Sequence, residues 1–177
     1  MRINWKKIDI KKLALIISSE LKENNIDAVL VGGACVSIYA RNEYVSMDLD
    51  YVTYTPIKEL TPVLNSLGFY QQSSRHFEHS ECPFSIEFLS PPVSIGHECP
   101  IKKLNKVKSL ILLTPTDCVK DRLAAYYHWN DMQSLDQAVM VAKAQRINLK
   151  SIKEWSAAEN SLEKYRKFES RLKVKQS

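Results

Sequence analysis

The sequence predicts an α+β fold, a mixed β-sheet packed with helices and followed by a C-terminal helical region. Three observations carry this. Short apolar runs with strand-like alternation recur through the first 113 residues, separated by turn residues; two amphipathic helical stretches lie among them; and from Thr114 onward the pattern is helical throughout. The expected division is 1–113 for the sheet-bearing core and 114–177 for the helical region.

Each element follows from its residues. Over 9–24, Ile10, Leu13, Ala14, Ile16, Ile17 and Leu21 form one helical stripe, which "NNID" ends. A short buried strand is expected from Ala28 to Val31; Gly32-Gly33 breaks it, and "ACVSIYA" reads as a short helix. "SMDLDYVTY" then alternates as a strand before Pro56. A helix follows between Pro56 and Gly68, with two starts open, because either Thr55-Pro56 or Thr61-Pro62 can supply the cap and first turn. "GFYQQ", "RHFEH", "PFSIEFL" and "KVKSLILL" read as a meander within one sheet, and "SPPVSIGHECP" as a loop. Thr114-Pro115, with Asp117 three residues past the threonine, is a helix start. Helical segments then run to the end.

With 177 residues, 45% hydrophobic and 25% charged, the chain is suited to burying a core of its own. The net charge of +5 is uneven, since residues 143–175 carry ten Lys/Arg against four acids. That suits either a phosphate-rich partner or a solvated helical face. No run of about eighteen apolar residues exists and no secretory leader pattern is present, so no membrane is expected and the chain reads as cytoplasmic. Cys35, Cys82, Cys99 and Cys118 form no C-x-x-C pair and read as reduced thiols. His76, His79 and Cys82, with His97 and Cys99 downstream, have zinc-compatible donors at loose spacing and are expected in loops.

Residues two apart on a strand share a face, so Asp48 and Asp50 present two carboxylates side by side. Burying such a pair costs several kcal/mol unless a cation offsets it. Carboxylate oxygens are the ligands that Mg²⁺ takes. In "PFSIEFL", Phe84, Ile86 and Phe88 share one face, which leaves Ser85 and Glu87 on the other and makes Glu87 the expected third acid. Gly32-Gly33, between a strand and a helix, lets the backbone approach a phosphate while helix N–H groups point at it.

Gly32, Gly33, Ser46, Asp48, Asp50 and Glu87 form a pattern that resembles the nucleotidyltransferase fold of the DNA polymerase β superfamily. "LTPTDCVKDRLAAYYHWNDMQSLDQA" in turn resembles the region after the sheet in minimal bacterial nucleotidyltransferases, AbiEii-type toxins included. Tyr44-Val45 occupy the space where AbiEii-like chains carry an arginine, and Arg122-Leu123 replace their Lys-Leu. The resemblance implies Mg²⁺-dependent transfer of NMP from an NTP to an acceptor hydroxyl on tRNA, another nucleic acid or a protein. It assigns two Mg²⁺ or Mn²⁺ ions to the catalytic residues Asp48, Asp50 and Glu87. Ser46 and the Gly32-Gly33 amides would hold the β- and γ-phosphates, and Arg41, Lys120 and above all Arg122 would neutralise the triphosphate. The implied partners are an NTP, an RNA or tRNA acceptor and an antitoxin protein. One alternative is an inactive nucleotide-binding or regulatory module of the same fold, such as a toxin–antitoxin component; another is an interaction protein with no ligand. Tyr126, Tyr127, His128 and Trp129 read as core rather than as a base-stacking set.

Overall fold

A computed structural model describes residues 3–41 and 43–173. Among the described residues, α1 (Ile10–Glu23) leads into β1 (Val29–Val31), α2 (Gly32–Tyr39) and β2 (Asp48–Val52). After α3 (Ile57–Ser66) come β3 (Tyr70–Ser73), β4 (His76–Glu78) and β5 (Ser85–Leu89), then the hairpin β6 (Leu104–Val107) and β7 (Leu110–Leu113). Four helices follow among the described residues: α4 (Pro115–Trp129), α5 (Met132–Ala144), α6 (Leu149–Ala158) and α7 (Leu162–Lys173).

All seven strands form one mixed sheet in the order β3-β4-β5-β2-β1-β7-β6. The expected meander exists only within β3-β4-β5. There, β5 leaves the antiparallel pattern and lies parallel to β2, while β6 and β7 form a hairpin at the opposite edge, with β7 parallel to β1. "KVKSLILL" is therefore two strands, turned at Lys108, whose φ is +56°. The open question at α3 is also settled. Pro56 is the N-cap, and Pro62 lies inside the helix, where Thr61 Oγ1 donates to the Ile57 carbonyl at 2.9 Å.

One sheet face carries the core. Leu49 and Tyr51 of β2, Phe77 of β4, and Ile86 and Phe88 of β5 are fully buried, as are Leu13 and Ile17 of α1 and Leu60 and Leu64 of α3. Burying each such side chain is worth about 1.5–3 kcal/mol. Tyr51 reaches α1, where its hydroxyl donates to the Ala14 carbonyl and pairs with Ser18 Oγ, both at 3.1 Å. Because β2 alternates, sending Leu49 and Tyr51 into this core forces Asp48 and Asp50 onto the other face. Thr114 starts α4, accepting from the Asp117 N–H at 3.1 Å and donating to Asp117 Oδ2 at 2.6 Å. No described helix is long and apolar enough to cross a membrane.

Candidate active site

Strand register places the acids. Asp50 pairs with Glu87 and Asp48 with Ser85 across the parallel β2–β5 ladder. Residues opposite one another in a ladder share a face, so Glu87 stands beside the aspartates on the face away from the core. Ser46 orients the first acid, its hydroxyl donating to Asp48 Oδ1 at 2.7 Å, while its own N–H is held by Ser37 Oγ of α2 at 2.9 Å.

The glycines are required by this packing. Gly32 has φ +66°, and a Cβ there would stand 2.4 Å from Asp50 Oδ2. At Gly33 a Cβ would meet Ser46 Oγ at 2.6 Å, with the Tyr44 hydroxyl also close. The backbone can lie this near the acids only without side chains. No side chain caps the N-terminus of α2, whose first residue, Gly32, lies against Asp50.

Electrostatics tie the group together. Burial, then the charges of Asp48 and Glu87, push the Asp50 carboxyl up to about 7, and Arg122 partly offsets them. Arg122 extends from α4 with its Nε and guanidinium nitrogen donating to Asp121 Oδ2 at 3.0 and 2.6 Å. Burial works against the charge of Arg122, but Asp121 more than restores it. Asp121 also acts on Asp50. Asp121 is not among the residues the sequence points to; its signal is the acid directly beside Arg122 in "KDRL".

The structure thus brings together Gly32, Gly33, Ser46, Asp48, Asp50, Glu87 and Arg122. Lys120 is not among them. It is 3% exposed, and its ammonium donates to both oxygens of Glu98 at 2.9 Å, with Asp117 at 3.9 Å. Helix geometry explains why Lys120 and Arg122 part, because residues two apart point about 200° away from each other. Arg41 is exposed just beyond α2. Lys120→Met is therefore expected to cost about 1–3 kcal/mol of stability, and Arg122→Met to raise the Asp50 carboxyl further by removing the cation that offsets its neighbours. Chemical denaturation across pH checks both halves.

The zinc-type donors are dispersed. His76 lies in β4 opposite Glu87 instead of in a loop, and His79 packs on the rings of Trp5 and Phe69. His97 Nδ1 and His128 Nε2 pair with Glu159 at 2.6 and 3.1 Å. Of the aromatic set on α4, Tyr126 and Tyr127 are buried as expected, but His128 and Trp129 are exposed.

Among the described residues, no three His, Cys, Asp or Glu side chains converge on one point as ligands would. What the structure does supply is the donor chemistry for a hard cation: three carboxylates registered on one face, one of them held high in its titration first by burial and then by the other two. In kind, though not as a converged set, these are the oxygen donors that Mg²⁺ takes.

No protein-family model matches the chain, and no curated protein matches it. Solved structures do. The chain has the nucleotidyltransferase fold. It is similar to an antigenic nucleotidyltransferase-like protein from Paracoccidioides brasiliensis, 14% identical, with 96% of this chain and 94% of that one covered at a TM-score of 0.63. It is also similar to the antibiotic-resistance factor ANT(2'')-Ia in its solution structure, 13% identical, with 93% and 98% covered and a TM-score of 0.61. The crystal structure of ANT(2'')-Ia in complex with adenylyl-2''-tobramycin gives 13%, 91% and 98%, and 0.57.

Proposed function

We propose that the protein is a nucleotidyltransferase that moves NMP from an NTP to an acceptor hydroxyl. The observation that carries this reading is the in-register row of Asp48, Asp50 and Glu87 against the Gly32-Gly33 turn. In the reaction, the acceptor oxygen bonds to the α-phosphorus, the bond from that phosphorus to the bridging oxygen breaks, and pyrophosphate leaves. The Gly32-Gly33 amides and the guanidinium of Arg122 bind and orient the triphosphate. Ser46 keeps Asp48 in place, and Glu87 takes the acceptor proton. Mg²⁺, when held by Asp48, Asp50 and Glu87, supplies Lewis-acid stabilisation of the attacking and leaving oxygens.

The adenylyl-2''-tobramycin that ANT(2'')-Ia binds belongs to that protein, at 13% identity. For this chain the acceptor we propose is a nucleic acid hydroxyl, tRNA included, and an antitoxin partner is the corollary if the chain is a toxin of the AbiEii kind. The test is incubation with labelled NTPs, Mg²⁺ and total RNA, with the Asp48→Ala/Asp50→Ala double variant alongside. Label transfer that the double variant abolishes supports the enzyme. Stabilisation of about 2.7 kcal/mol by NTP at a hundred times its dissociation constant, without transfer by any acceptor, would leave a nucleotide-binding module instead.

A further inference from the structure

Helix α4 is the element to follow outward from the site. Cys118, Arg122, Ala125 and Trp129 are spaced by four, three and four residues and so form one stripe along it. The stripe begins buried, at Cys118 against Cys35 of α2. Arg122, one turn on, acts on Asp50, and its charge also reaches Asp131 just past the end of the helix. Trp129 ends the stripe about 10 Å beyond Arg122. It is 77% exposed, although tryptophan is among the costliest side chains to leave in water. The indole meets the ring of its neighbour His128 edge to face, with centroids 5.9 Å apart.

The span from Arg122 to Trp129 is comparable to the span from a nucleotide's phosphates, across its ribose, to its base. Resting on the nucleotide reading above, we infer that Trp129 is the platform on which the base of the bound NTP stacks. Its exposure is then that of a binding surface awaiting its ring. Such a platform tolerates any base, since every base offers a π-face, and it predicts weak discrimination among NTPs. Asn130, in the left-handed region at φ +54°, ends the helix directly after Trp129.

The experiment compares wild type, Trp129→Ala and Trp129→Phe, each titrated with ATP, GTP and inorganic tripolyphosphate in Mg²⁺. A base–aromatic stack is worth about 1–3 kcal/mol, so Trp129→Ala is expected to weaken ATP and GTP about five- to a hundred-fold. Tripolyphosphate, which has no base, should bind unchanged, and Trp129→Phe should retain most of the nucleotide affinity. Nucleotide affinity within twofold of wild type in Trp129→Ala overturns the inference. So does an equal loss for tripolyphosphate, which would mark damage to the phosphate site. Wild type that binds neither nucleotide nor tripolyphosphate brings down the nucleotide reading itself, and this inference with it.

Discussion

Replacing Asp50 with asparagine should make the ligand-free protein more stable while abolishing transfer. In the folded chain the Asp50 carboxyl titrates near 7, against 3.8 for an unperturbed aspartate. Between those values the native state holds a proton that the unfolded chain has lost, so stability falls as pH rises through the window. The full cost above pH 7 is on the order of 2–4 kcal/mol, with burial as its first cause and the charges of Asp48 and Glu87 as the next. An amide carries no charge to desolvate. Asp50→Asn should therefore gain about 1–3 kcal/mol at pH 8 and flatten the slope of stability between pH 4 and 7. Urea denaturation across that range reads both quantities. Adding Mg²⁺ to wild type should flatten the same slope, because a bound cation offsets the repulsion that creates it. An Asp50→Asn protein whose stability tracks wild type at every pH would remove the acid cluster as a source of strain.

The second large effect is at the glycine turn, where two adjacent residues should behave differently. Gly32→Ala places a Cβ on a backbone with φ +66° and 2.4 Å from a carboxylate oxygen of Asp50. Left-handed backbone alone costs an alanine about 1–2 kcal/mol, and displacing Asp50 adds to it, for a total of about 2–4 kcal/mol. Gly33 has no such backbone demand, and its Cβ would meet the Ser46 side chain at 2.6 Å, with the Tyr44 hydroxyl at 3.4 Å. We expect Gly33→Ala to cost about 1 kcal/mol or less, a modest overpacking penalty, while still weakening nucleotide binding at least tenfold by pushing Ser46 toward Asp48. Denaturation midpoints give the first comparison and calorimetry the second. Equal stability losses at the two positions would show that the left-handed backbone is not what Gly32 is there for.

Much of this site could be read from residue spacing because strand alternation is a local property. Asp48 and Asp50 share a face whatever β2 pairs with, and the apolar faces of β2 and β5 turn their acids the same way once both strands bury those faces in one core. The pairing itself was not legible. "PFSIEFL" looks like any meander strand, and only tertiary packing sets it parallel to β2 with Glu87 opposite Asp50. Helix α4 shows the same limit. Lys120 and Arg122 are equally basic in the sequence, and which one meets the acids depends on how the helix is rotated against α2 and the sheet. That rotation hides Lys120 against Glu98, brings Arg122 and Asp121 to Asp50, and sends Trp129 into solvent where an aromatic run suggested core.

Strand β1, which ends in the glycine turn, lies between β2, made soon after it, and β7, made about eighty residues later. During synthesis one flank of β1 must stay open until residues 110–113 have left the ribosome, and Arg122 emerges later still. Contacts of such sequence separation close slowly. A nascent or truncated chain would hold the acidic row without its counter-charge, so competence to bind a triphosphate arrives only with the helices that follow the sheet.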